Sequence, residues 1–142
     1  MKKLNTILLI DDDAPTNFFN KIIIKKANCA EQVDVTQNGL IALEYIKANY
    51  NENKPQPDLI LLDINLPGMN GWEFLEEYSK LEFVDEISTT IIIMLTTSLN
   101  PSDMEKANSI KVVNGFANKP FSTNALEEII NNRIASKAKE LY

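Results

Sequence analysis

Four groups of residues in this chain have the types and the placement to act together on one ligand. They are the acidic run Asp11-Asp12-Asp13, Asp63, the hydroxyl run Thr96-Thr97-Ser98, and Lys119 followed by Pro120. Each stands at the end of a short apolar run or just after one. If Asp11, Asp12 and Asp63 meet, their like charges repel, and one must take up a proton unless a cation lies among them. A divalent metal removes the conflict; oxygen ligands suit magnesium, calcium or manganese, and the hard carboxylates point to Mg2+, with Mn2+ possible. Mg2+ keeps some of its waters and binds through one or two carboxylates plus a phosphate oxygen, so the set anticipates a phosphoryl ligand. Lys119 adds a fixed positive charge for a second phosphate oxygen, and the Thr96 hydroxyl can donate to a third. Phosphoryl transfer needs in-line placement and neutralised charge on the equatorial oxygens, and these groups supply both. An aspartate can itself be the nucleophile. Asp63 is the candidate, because it ends the central apolar run and is followed by Ile64-Asn65-Leu66-Pro67-Gly68, a loop able to lend a backbone carbonyl.

Composition narrows the chemistry further. The chain has 142 residues, 44% hydrophobic and 24% charged, enough for one compact domain with an ordinary core. The formal net charge of −6 disfavours nucleic acid and anionic lipid as partners, since both call for a concentrated basic face. No histidine is present, which excludes a histidine phospho-carrier, a Ser-His-Asp hydrolase and most zinc hydrolases. Cys29 is the single cysteine, so no internal disulfide forms, as suits a reducing compartment. The apolar run after Met1-Lys2-Lys3 ends at Asp11, too soon for a signal peptide or a membrane span. The expectation is a cytoplasmic protein that binds neither nucleic acid nor membrane.

The groups at the run ends must be positioned by the elements between them. The apolar runs are Thr6–Ile10, Gln32–Thr36, Leu59–Leu62, Thr90–Leu95 and Val112–Ala117. The first, third and fourth are nearly continuous Ile/Leu, as parallel strands covered on both faces require. Between them helical periodicity predicts helices over about 16–26, 40–48, 71–81 and 102–109, with a last one over about 124–140. In the first, Phe18, Phe19, Ile22 and Ile23 read as the inward face; in the second, Leu40, Leu43 and Ile46; in the third, Trp72, Leu75 and Tyr78. Asn124 with Glu127 resembles a capping box, and 49–57, polar with two prolines, reads as a loop. Strand and helix thus alternate, which predicts an α/β fold: a doubly wound five-stranded parallel sheet with helices on both faces. In such sheets a ligand binds at the carboxyl ends of the strands, where the strand order switches.

The acidic pair after Ile7-Leu8-Leu9-Ile10, the segment Asp63 to Gly71, Thr96 after Ile91–Leu95, and Lys119-Pro120-Phe121 together resemble a receiver domain of two-component response regulators. The match runs from about Thr6 to about Ile134. It implies a flavodoxin-like strand order 2-1-3-4-5 and one receiver domain over 1–142, with its core over about 5–134, its last helix reaching about 140 and no output domain. It implies that Asp63 is the phosphorylated aspartate, Asp12 a direct metal ligand and Asp11 a ligand through water, with Asn65 giving its backbone carbonyl. It further implies that Thr96 is the switch hydroxyl, Lys119 the phosphate-binding lysine in a cis peptide with Pro120, and Phe116 the aromatic switch residue. The donor would be a histidine kinase or a histidine phosphotransfer protein. Output would be contact with a further protein, the chain being monomeric or weakly dimeric, with no separate substrate turned over.

Plainer readings compete for some residues. Asp13 reads best as a helix cap favoured by the dipole. Phe116 can be core, as aromatics in strands usually are. Cys29 reads as a small buried or half-buried residue, and Asp103, Glu105 and Lys106 as a solvated face. Two rival functions compete with this reading. A metal-dependent phosphatase of similar fold would want a second acid two residues after the nucleophile, where Asn65 stands. A scaffold that has lost the switch would not need the complete acid, threonine and lysine set.

Overall fold

The computed structural model describes residues 3–97 and 100–131. Five strands, β1 (Leu4–Ile10), β2 (Ala30–Thr36), β3 (Leu59–Leu62), β4 (Ile91–Thr96) and β5 (Gly115–Asn118), form one parallel sheet in the order β2-β1-β3-β4-β5. The helices are α1 (Ala14–Ala27), α2 (Gly39–Asn51), α3 (Gly71–Ser79), α4 (Pro101–Ser109) and α5 (Thr123–Ile129), with a 3-10 turn at Val84–Ile87. The doubly wound architecture and the strand order are those expected.

Side chains alternate across a strand, and here both faces are covered. Leu8, Ile10, Ile60, Leu62, Ile92 and Met94 pack under α2, α3 and α4, while Ile7, Leu9, Leu59, Leu61, Ile91 and Ile93 pack under α1 and α5. That explains the unbroken apolar runs in the three inner strands. The flanking strands β2 and β5 carry partly exposed residues along most of their length.

Helix ends are fixed by local chemistry. Asp13 caps α1, its carboxylate accepting from the Thr16 amide and hydroxyl, in keeping with the plain reading of that residue. The Thr16 hydroxyl bond holds the Asp13 carboxyl below its usual range. Asn70 and Glu73 form a reciprocal capping box on α3. The box expected at Asn124 and Glu127 is absent: α5 begins one residue earlier and is capped by Ser122, whose hydroxyl accepts from the Ala125 amide. The part of the last helix expected to reach 140 lies beyond 131, outside the described residues.

Four further expectations are corrected. α2 runs on to Asn51, because Asn49 and Tyr50 are held by the helix and by a contact of Tyr50 with Phe83, whose ring stacks at 3.9 Å. The loop proper starts only after Asn53, in left-handed backbone with φ 58. β5 starts at Gly115 and not at Val112. Val112 and Val113 do pack against the core, but Asn114 bonds Ile92 through both its backbone amide and its side-chain oxygen, so a side chain replaces a ladder rung. The largest difference is in α1. Phe18, Phe19 and Ile22 are 68%, 45% and 40% exposed, while Asn17, Asn20, Ile23 and Ile24 are buried. In α2, likewise, Leu40 is exposed while Leu43 and Ile46 are buried with Ala42.

Tyr78 on α3 is buried beside Phe74, and Cys29 is fully buried as expected. Burial pushes the Tyr78 phenol up to about 12, a hydrogen bond with Thr90 pulling the other way. Below pH 10 the phenol is neutral folded and unfolded; between about pH 10 and about 12 only the unfolded chain ionises, so stability falls as pH rises through that window. Urea unfolding across this range should show a fall that Tyr78→Phe flattens by about 2 kcal/mol. An equal slope in the two proteins contradicts this account.

Candidate functional site

The site lies at the carboxyl edge of the sheet, where the adjacent inner strands β1 and β3 end side by side. Ile10 pairs with Leu62, so the residues that follow, Asp11 and Asp63, leave the ladder together. The amide of Asp63 donates to the carbonyl of Ile10, and the amide of Asp11 to that of Thr36 on β2. Both aspartates are buried, at 4% and 8% exposure, and Asp12 between α1 and the edge is exposed. One carboxylate oxygen from each of Asp11, Asp12 and Asp63 falls within 4.8 Å of the others. The meeting anticipated from the run ends therefore takes place.

Lys119 arrives from the far side. Its amide donates to the carbonyl of Thr96 at 2.7 Å, which ties the end of β5 to the end of β4, and the Lys119-Pro120 peptide is cis. Its ammonium group lies 2.7 Å from Asp11 Oδ2 and 3.4 Å from Asp63 Oδ1. Burial alone would lower the Lys119 pKa, but the hydrogen bond and charge of Asp11, with the charge of Asp63, hold it above its usual value. The Asp63 carboxyl is pushed up by burial; Lys119 works against the shift and Asp11 with it, and the Asn65 amide donates to the carboxylate. These are the signs expected when several carboxylates share one cation. Three carboxylates against one ammonium leave an acidic excess that a divalent cation would balance, and an all-oxygen donor set suits a hard ion.

The loop after β3 is held by its own backbone. The Gly71 amide donates to the Ile64 carbonyl at 2.8 Å, and a Cβ on Gly71 would sit 2.5 Å from the Asp63 carbonyl oxygen. Only glycine lets α3 start so close behind Asp63. Gly68 turns the loop with φ +70. Gly71 was legible as part of a motif, but its role as the backing of Asp63 was not, because contact between backbones leaves no trace in spacing.

Thr96 is buried at the end of β4 and pairs with Asn118. Phe116 is half-buried, pairs with Met94 and packs against the core on the α4 side. Thr96 and Met94, two residues apart, project to one face, so Thr96 and Phe116 share it. Asn65 is exposed in the loop right after Asp63. Lys106, expected in a solvated face, lies over the Trp72 ring at 4.5 Å and so bridges α4 to α3. Among the described residues no helix is long and apolar enough to cross a membrane.

An open α/β sheet with an acidic cup and a lysine at its carboxyl edge defines the class. The response regulator receiver domain family matches residues 7–131, and the chain belongs to it. A solved two-component response regulator from Cytophaga hutchinsonii superposes with a TM-score of 0.87 at 32% identity, covering 95% of this chain and 99% of that one. Response regulator Rcp1 of Synechocystis is 31% identical over 99 residues, which are 69% of this chain and 65% of the relative. Its structure with bound Mn2+ aligns with a TM-score of 0.71 at 25% identity, over 92% of this chain and 94% of that one. Sporulation initiation phosphotransferase F of Bacillus subtilis is 27% identical over 133 residues, 93% of this chain and 95% of the relative.

Lys119→Met would leave the Asp11 carboxylate buried without its ammonium partner. Urea unfolding should register a loss of roughly 3 kcal/mol, most of it recovered by adding Asp11→Asn. A loss below about 1 kcal/mol would show that the pair is not what balances the buried charge.

Proposed function

We propose that this protein is a response regulator whose receiver domain accepts a phosphoryl group on Asp63 from a histidine kinase or a histidine phosphotransfer protein and signals by protein contact. The observation that carries this reading is the convergence of Asp11, Asp12, Asp63 and Lys119 at one sheet edge. An Asp63 carboxylate oxygen attacks phosphorus. The P–N bond of the donor phosphohistidine breaks, and the imidazole leaves with the electron pair and takes up a proton. The product is an acyl phosphate on Asp63. Lys119, already 3.4 Å from Asp63, meets one phosphoryl oxygen, and Thr96 donates to another. Asp12 and Asp63 would hold Mg2+ directly, Asn65 through its carbonyl and Asp11 through water, and when bound the ion would supply neutralisation of the negative charge on the phosphoryl group. Rcp1 with Mn2+ in its structure supports a divalent ion here.

Thr96 and Phe116 lie on one face of adjacent strands, so a pull on the Thr96 hydroxyl reaches the α4 and β5 surface. That is a two-state switch biased by a local charge event. Turnover of a separate substrate is not expected, because Asn65 stands where a phosphatase of this shape would place its acid. The apolar outer face of α1, on the turns that follow the acidic run, suits a protein donor that must seat over the cup.

Two experiments test the reading. Acetyl phosphate with Mg2+ should add one phosphoryl mass to the intact protein, and Asp63→Asn should take none; an unlabelled wild type would sink the assignment. Transfer from radiolabelled histidine kinases of the same cell should slow about tenfold in a Phe18→Ser, Ile22→Ser double variant, with acetyl phosphate labelling unchanged. Equal loss from both donors would place the defect in the cup and not in docking.

A further inference from the structure

The inner face of α1 is polar where it passes the acidic cup. Asn17 is 6% exposed on that face. Its Nδ2 donates to the backbone carbonyl of Asp11 at 2.9 Å, and its Oδ1 is buried without a hydrogen-bond partner among the described residues. The orientation is forced, because turning the amide over would set two oxygens against each other. A buried amide with one acceptor unpaired is costly, and an apolar residue would suit this inward position better on packing grounds alone. What the amide achieves is therefore to be sought at the atom that it holds.

That atom belongs to the peptide unit joining Asp11 to Asp12. β1 has left the sheet at this point, and the Asp11 carbonyl accepts from Asn17 in place of a ladder rung. Every polar group of Asp11 is thereby engaged. Its amide goes to Thr36, its carbonyl to Asn17, its Oδ1 to the Asp13 amide and its Oδ2 to Lys119. Among the described residues Asp12 has no such set of restraints, and it is exposed. Its direction follows from the peptide plane before it, and the carbonyl of that plane is what Asn17 fixes.

We infer that Asn17 is a positioning residue for the metal site: by pinning the Asp11–Asp12 peptide it aims the Asp12 carboxylate at the point shared with Asp11 and Asp63. The inference rests on the metal reading of the cup given above. An outer residue that orients a ligand in advance spares the ion the cost of ordering it, and losing such a residue typically weakens metal binding by ten- to a hundredfold. Asn17 itself touches no metal and takes no part in the transfer.

Calorimetric titration of Mg2+ into the full chain, its Asn17→Ala variant and an Asn20→Ala variant tests this. Asn20 is buried on the same helix face, whereas the hydrogen bonds of Asp11 run to Thr36, Asn17, Asp13 and Lys119. Asn17→Ala should raise the Mg2+ Kd about tenfold while its urea midpoint stays near that of the wild type, and Asn20→Ala should keep the wild-type Kd. If Asn17→Ala does not fold, Asn17→Leu is read by the same criterion. An Asn17 variant that is folded and binds Mg2+ within about twofold of the wild type overturns the positioning role and leaves the metal reading standing. A wild type that binds no Mg2+ overturns both.

Discussion

At the carboxyl edge of the sheet three carboxylates are forced together against a single ammonium group, and the surrounding structure is arranged to keep them there. Asp11 and Asp63 arrive on adjacent inner strands, so neither can retreat without breaking a rung of the sheet. Lys119 is held by its own backbone bond to Thr96, which makes its 2.7 Å contact with Asp11 a property of the β4–β5 edge and not of a free side chain. Charges so placed and so little solvated interact far more strongly than exposed pairs such as Lys80 with Glu76. The cup is thus a store of unbalanced negative charge, and a cation or a change of charge on Asp63 alters its balance.

The same requirement reaches into the packing. Gly71 gives up its side chain so that α3 can begin against the Asp63 backbone. Asn17 occupies an inward position of α1 that an apolar residue would fill more cheaply. Both concessions lie next to the cup, whereas the sheet interior from Ile7 to Ile10 and from Leu59 to Leu62 is wholly apolar. Stability comes from the latter, and the former shape the charged edge. α1 shows the division on one helix, with polar residues turned in near the cup, apolar residues turned in at Ile23 and Ile24, and Phe18 turned out.

How far the sequence could be read follows from the physics of each element. Buried parallel strands must be apolar throughout, so the apolar runs mark β1, β3 and β4 to within two residues of their observed ends. The apolar run sets β5 too early, because Val112 and Val113 are partly buried by packing while Asn114 makes the next rung with its side chain. Apolar spacing normally marks burial and predicts Phe18, Phe19, Ile22 and Ile23 on the inward face of α1, of which only Ile23 is buried. That rule fails beside a polar edge whose backbone needs a side-chain donor. Asn17 and Asn20 at three-residue spacing were the visible trace of it, but nothing in the spacing says which stripe faces in.

The sequence by itself determined the alternation of strand and helix, the parallel sheet and the chemical character of the residues at the strand ends, because periodicity and residue type are local properties. Tertiary structure alone decided that Asp11, Asp12 and Asp63 come within 4.8 Å of each other, that Lys119 takes Asp11 more closely than Asp63, and that Asn17 holds the peptide between the first two acids. Those distances depend on how neighbouring strands register and how the chain leaves them. Register is settled by packing across the sheet, which no stretch of sequence contains on its own.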